Sequence, residues 1–173
     1  MKSYFITSLT PNLEVQIQKH TPDFILYRDK ENANYANDAK KFLELCNNYP
    51  SIKCFLHQDP SLAKVLGAHG VHLTSTQSDM IADAKALGLE VILSTHTFEE
   101  VFRAEELGAD YVTYSPIFAS PNKGEPKGIE ALRLLVQKTS VKVFALGGII
   151  SQEQIKEVQG AKAYGFASIR YFV

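Results

Sequence analysis

Nearly every short apolar run in this 173-residue chain is closed by side chains that can carry charge, hydrogen bonds or protons. Arg28, Asp29 and Lys30 follow one run, His57, Gln58 and Asp59 the next, His72 with Thr74 and Ser75 a third, and Ser94, Thr95 and His96 a fourth. Cations, hydroxyls and imidazoles repeated at that position describe a site able to hold an anion and to move a proton. Further on, Ala145-Leu146-Gly147-Gly148-Ile149 runs into a helix start at Ser151. Paired glycines let bare amides approach a ligand, and a helix amino terminus offers free N–H groups to phosphate. Arg170, near the end of the sequence, adds a positive charge for the same anion. The stretch from Tyr114 to Gly128, rich in Gly, Pro and Lys and carrying Ser120, Lys123 and Lys127, reads as a binding lid over such a site.

Positioning these groups together requires a scaffold that brings many strand ends to one rim. Eight short β-branched or aromatic runs are predicted as strands: Tyr4–Thr7, Phe24–Arg28, Lys53–His57, Gly70–Leu73, Val91–Thr95, Tyr111–Tyr114, Val143–Leu146 and Gly165–Ser168. Seven segments with helical spacing lie between them: Leu13–Lys19, Tyr35–Asn47, Ser61–Leu66, Ser78–Leu87, Phe98–Leu107, Ile129–Lys138 and Ser151–Val158. Thr97 and Glu100 form a capping box ahead of the fifth. Glycines 67, 88, 108 and 160 punctuate helix ends just before strands. The regular alternation predicts a single domain, residues 1–173, folded as a compact (β/α)8 TIM barrel, whose active sites form at the carboxyl ends of the strands and whose phosphate sites follow strands seven and eight. An open doubly wound sheet would give the same alternation, but its G-x-G-x-x-G turn is missing after the first strand. No eighth helix follows the last strand, so an uncovered apolar flank and a homodimer are expected.

Composition narrows the function classes. With 18 basic and 19 acidic residues the formal net charge is -1, which gives no bulk attraction to nucleic acid or to an anionic membrane. No apolar run approaches the roughly 20 residues of a membrane span, and no secretory signal is visible, so a cytoplasmic location is expected. Cys46 and Cys54 are too few for a disulfide framework or a zinc site and read as buried free thiols.

Tyr27-Arg28-Asp29-Lys30, Gly67-Ala68-His69-Gly70-Val71-His72-Leu73, Ser94-Thr95-His96-Thr97-Phe98-Glu99-Glu100, Gly108-Ala109-Asp110-Tyr111-Val112, Ser115-Pro116-Ile117-Phe118 with Lys123, and Ala145-Leu146-Gly147-Gly148-Ile149 together resemble the family of thiamine phosphate synthase and its relative TenI, a thiazole tautomerase. The resemblance covers nearly the whole chain and implies a (β/α)8 barrel. Its synthase members join a pyrimidine pyrophosphate to a thiazole phosphate with Mg2+. By that resemblance Gly147, Gly148, Ile169 and Arg170 surround the thiazole phosphate, Ser94 lies near the thiazole, and Arg28, Lys30 and Lys123 meet the pyrophosphate, with Ser120 on the same loop.

Other positions depart from the synthase pattern. The Gln expected two residues before the arginine is Leu26, the Asn-Asp pair after strand three is His57-Gln58, and the metal-binding Asp after strand four aligns with Gln77. Neutral amides replace carboxylates poorly around Mg2+. These departures resemble TenI, although the TenI histidine at the end of strand six is Pro116 here, as in synthases. The expectation is a metal-independent tautomerase that binds a phosphorylated thiazole or thiamine phosphate, with no metal and no cofactor, and with His57, His72 and His96 as acid/base candidates. A synthase using Mg2+ and a non-catalytic phosphate binder are the alternatives.

Overall fold

A computed structural model describes residues 1–173, and in it the eight apolar runs become eight parallel strands hydrogen-bonded in sequence order, β1 through β8, with β8 closing on β1. The strands are β1 Lys2–Thr7, β2 Phe24–Tyr27, β3 Lys53–His57, β4 Gly70–Leu73, β5 Glu90–Thr95, β6 Tyr111–Tyr114, β7 Lys142–Leu146 and β8 Gly165–Ser168. Helices α1 Leu13–His20, α2 Tyr35–Cys46, α3 Pro60–Leu66, α4 Ile81–Ala86, α5 Phe98–Glu106, α6 Gly128–Lys138 and α7 Gln152–Gly160 pack outside. Each helix follows its strand, which is how repeated right-handed crossovers close a barrel.

Alternation along the strands sorts the side chains into two cores. Tyr4, Ile6, Phe24, Leu26, Phe55, Ile92, Tyr111, Phe144 and Ala167 fill the barrel interior, while a larger set of 37 buried residues packs the sheet against the helices. The interior is crowded with rings, Tyr4 lying 5.2 Å from Phe144 and Phe24 5.8 Å from Phe55. Room for them comes from two glycines facing inward. A Cβ on Gly70 would stand 2.4 Å from the Phe55 ring and one on Gly165 2.5 Å from that of Phe144.

Above this apolar plug the inward positions turn polar. Tyr27 pairs with Leu56, so Arg28 emerges beside His57, and His57 pairs directly with His72. Ser94 stands on the neighbouring strand β5, in register with Thr113 of β6. The plug thus becomes the floor of a site at the carboxyl ends.

Three details differ from expectation. The fourth helix divides: a 3-10 segment over Ser75–Met80, broken at Gln77 (φ -111°, ψ 23°), precedes α4. Ser, Thr and Asp compete with the backbone for hydrogen bonds and favour turns and caps over helix interiors. Gly160 ends α7 without a left-handed conformation, which Lys162 adopts instead at φ 62°. The flank expected to lie bare after β8 is filled by Phe172, 1% exposed, stacked on Phe5 at 4.8 Å and on Phe166 at 5.8 Å. Cys46 and Cys54 are buried and unbridged, and no helix is long and apolar enough to cross a membrane.

Candidate functional site

A cavity of about 430 Å³ opens at the carboxyl ends of the strands. Ile6, Leu26, His57, His72, Ser94 and Leu146 form its base, and loops from β2, β4, β6, β7 and β8 build its walls. His57, His72, His96, Arg28, Lys30, Ser94, Ser120, Lys123, Gly147, Gly148, Ile169 and Arg170 line this one cavity, whereas Asp29, Gln58, Asp59, Thr95 and Lys127, which the sequence also placed at the rim, do not.

The three histidines have different surroundings. His72 is 2% exposed and engaged at both ring nitrogens, Nδ1 lying 2.8 Å from the Tyr4 hydroxyl and Nε2 2.9 Å from Ser94 Oγ. Tyr4 is fully buried, with burial raising its phenol well above the usual range, and His72 is its only hydrogen-bond partner. A buried hydroxyl proton needs an acceptor, so Tyr4 donates to Nδ1; Nε2 then carries the other proton and donates to Ser94 Oγ. The Ser94 hydroxyl proton is left to point into the cavity. Burial lowers the His72 imidazole to about 3, with His57 and Arg28 adding to the effect. His72 is a neutral orienting group with no free nitrogen for a ligand.

His57 is 7% exposed, and its ring nitrogens have no hydrogen-bond partner in the protein. Burial and the nearby charges of Arg28 and Lys30 bring it down to about 4, so it is neutral near pH 7. Its backbone N–H donates to the Tyr35 hydroxyl at 2.9 Å, and that hydroxyl donates to the Tyr27 carbonyl at 3.0 Å. His96 is anchored from one side: its Nδ1 lies 3.2 Å from the Ser115 carbonyl and its backbone N–H donates to Glu100 at 2.5 Å. The capping pair expected here is therefore offset, Thr97 accepting from the Glu100 N–H while the Glu100 carboxylate reaches one residue further back.

The polar lining falls into two stations for negative charge. Arg28 and Lys30 after β2 make the first, and the loop after β6 brings Lys123 to the same cavity. Backbone makes the second. The N–H groups of Gly148, Ile149, Ile169 and Arg170 have no acceptor in the protein, and the Arg170 side chain lines the same wall. Gly147 and Gly148 adopt φ 100° and 71°, and a Cβ on Gly148 would stand 2.5 Å from the Ala119 carbonyl, so this turn is open to glycine alone. Helix α7 contributes less than the sequence predicts. Ser151 Oγ accepts from the Gln154 N–H, and Gln154 Oε1 accepts from the N–H groups of Ile150 and Ser151. Its first turn is capped by its own side chains, and the open amides lie just upstream.

No Asp or Glu lines the cavity. Asp59 accepts from the Leu62 N–H at 2.9 Å as the cap of α3. Gln77 accepts from the Thr74 N–H at 3.0 Å and donates to the Gln58 carbonyl at 3.1 Å. Mg2+ takes hard, anionic oxygens, and the donors present do not fit it.

Sequence reasoning missed Tyr4 and Ser168. Tyr4 sits in an apolar strand, and its signal was a hydroxyl that a buried position must satisfy. Ser168 donates to the Ile149 carbonyl at 2.8 Å and accepts from the Tyr171 N–H at 3.2 Å, tying the β7 and β8 loops together. Its signal was a polar residue closing an apolar strand.

Residues 4–172 match the family described as thiamine monophosphate synthase, TMP-TENI. A thiamine-phosphate synthase of Caldivirga maquilingensis is 32% identical over 150 residues, covering 84% of this chain and 72% of that protein. One from Synechocystis is 33% identical over 177 residues, covering 96% of this chain and 51% of the relative, so the chain spans about half its length. A solved thiamine phosphate pyrophosphorylase from Pyrococcus furiosus superposes with a TM-score of 0.82 at 27% identity, covering 97% of this chain and 85% of that one.

Proposed function

The chain belongs to the thiamine monophosphate synthase, TMP-TENI, family, and from that premise we propose that it joins two phosphorylated substrates, a pyrimidine pyrophosphate and a thiazole phosphate, releasing pyrophosphate. One observation carries this reading: a single cavity is lined both by the cations Arg28, Lys30 and Lys123 and by free backbone amides after β7 and β8 beside Arg170, two kinds of anion-binding group on different strand ends. A reaction with one phosphorylated substrate uses one station. The curated relatives named thiamine-phosphate synthase support the same choice over the tautomerase expected from the sequence.

In this reading the thiazole phosphate is held by the amides of Gly148, Ile149, Ile169 and Arg170, and the Ser94 hydroxyl donates to an acceptor on the substrate between the stations. Arg28, Lys30 and Lys123 bind the pyrophosphate and stabilise the charge that builds on it as it leaves. The test is an assay of the purified protein with both substrates, following thiamine phosphate and pyrophosphate in equal amounts. A protein that binds both substrates and forms neither product sinks the proposal.

A specific observation favours one second reading. His57 presents ring nitrogens without protein partners to the cavity, which suits a tautomerase moving a proton on a thiazole carboxylate phosphate. Isomerisation of that compound in the absence of any pyrimidine substrate, lost in His57→Ala, selects this reading. Binding of thiamine phosphate without turnover of either kind selects a carrier.

A further inference from the structure

His57 stands at a place where charge is needed and is held there with care. Its strand neighbour is Arg28, Lys30 follows two residues later, and all three line the cavity with Lys123. The Gln58 N–H donates to the His72 carbonyl at 3.0 Å, the Asp59 N–H to the His57 carbonyl at 3.0 Å, and the Gln77 side chain to the Gln58 carbonyl at 3.1 Å. These bonds hold Gln58 in a left-handed conformation, φ 69°, which a glutamine rarely adopts. The result fixes the backbone under an imidazole whose nitrogens are left open.

We propose that His57 takes up a proton when the pyrophosphate of a substrate settles between Arg28, Lys30 and Lys123, so that a proton completes the charge at a station whose donors do not fit a metal ion. This rests on the assignment of the first station to pyrophosphate.

The electrostatics work in that direction. In the free protein Arg28 and Lys30 disfavour a third positive charge, and burial adds to them. From the other elements packed here, Tyr35 of α2 contributes a phenol pushed up to about 12, His72 of β4 a neutral ring, and Asp59 a carboxylate committed to capping α3. None of these supplies His57 with a counter-charge of its own. A polyanion entering the cavity cancels the two cations and adds attraction for an imidazolium, and opposite charge within a few ångström raises an imidazole by about 1–3 pH units. The step is a simple protonation: a solvent proton bonds to an imidazole nitrogen, which then donates to a phosphate oxygen.

The measurement is an NMR pH titration of the His57 Cε1–H signal, assigned by its loss in His57→Asn, without ligand and with saturating inorganic pyrophosphate. The expected midpoint without ligand is near 4. With pyrophosphate it should rise by about two pH units. Pyrophosphate affinity of wild type should gain more than that of His57→Asn when the pH falls from about 7.5 to about 6. A midpoint that stays put while pyrophosphate binds overturns the inference alone. Failure of pyrophosphate to bind at any pH overturns both the inference and the assignment beneath it. Should His57→Asn fold poorly, the signal is assigned instead by its loss in His57→Gln, and the wild-type titration then decides the matter.

Discussion

The Tyr4 hydroxyl and His72 Nδ1 lie 2.8 Å apart inside the barrel, the phenol stacked 5.8 Å from the imidazole at an interplanar angle of 25°. Through that contact a side chain with no access to the cavity decides which way the Ser94 hydroxyl points. Tyr4→Phe keeps the ring and removes the donor, leaving a buried nitrogen unsatisfied at a cost of about 1–3 kcal/mol. Urea denaturation should read that loss. Catalytic turnover should fall more than substrate affinity, because Ser94 becomes free to point its proton back at His72. A variant as stable and active as wild type would show the chain of bonds to be unimportant.

Arg28 leaves β2 beside His57 and meets the ligand at the first station. Its guanidinium can grip an anion with two parallel N–H groups, which an ammonium cannot. Arg28→Lys should raise the KM for the pyrimidine pyrophosphate by about tenfold, corresponding to about 1.4 kcal/mol, and leave that for the thiazole phosphate within about twofold. Steady-state kinetics with each substrate varied in turn distinguishes the two; equal changes in both would merge the stations into one.

Gly148→Ala forces a Cβ against the Ala119 carbonyl at 2.5 Å in a left-handed conformation. The turn must shift, with an expected loss of about 1–3 kcal/mol and of thiazole phosphate binding. Gly124, at the tip of the neighbouring loop, is different: a Cβ there would meet nothing within 4 Å. Gly124→Ala should leave stability within about 0.5 kcal/mol of wild type. Thermal denaturation of the pair provides the contrast.

Stability should fall on acidification through a defined window. His57 and His72 are buried neutral, their folded values lowered to about 4 and about 3, against about 6.5 unfolded. Below about pH 6.5 the unfolded chain binds protons that the folded one refuses, so the stability these groups confer is complete above that pH and is lost as the pH falls toward about 4. Each should contribute up to about 1.4 kcal/mol per pH unit in that interval. Denaturation midpoints at about pH 7 and about pH 5 measure the slope, which His57→Gln should reduce.

The fold was legible because its signals are local. Each of the eight strands is an apolar run closed by polar residues, and the sequence reading places every one within two residues of its observed ends. The rim positions followed from the same rule, since a parallel barrel brings all the strand ends to one side. What escaped depended on contacts distant in sequence. Tyr4 and His72 are 68 residues apart, and nothing near either one announces the other. Gln77 looks like a substitute for a missing carboxylate, yet its amide is spent on Thr74 and Gln58, a turn bond and a cross-loop bond that alignment alone does not reveal. The residues after β8 carry no helical pattern, and the stacking of Phe172 on Phe5 and Phe166, rings far apart in sequence from one another or hidden in strands, was not legible there.

The stretch from Tyr114 to Gly128 is tied down at both ends. Ile117 and Phe118 donate to the carbonyls of Leu146 and Gly147, while Lys127 and Gly128 donate back to Pro116 and Ile117. It is therefore built as a clasp with a short free tip, not as a swinging door. Lys123 rides on that tip, within a radius set by the two anchors. The size of cargo the rim can embrace is limited by this tether, and lengthening the tip, leaving the barrel untouched, is the route by which the same scaffold would be retuned to a bulkier one.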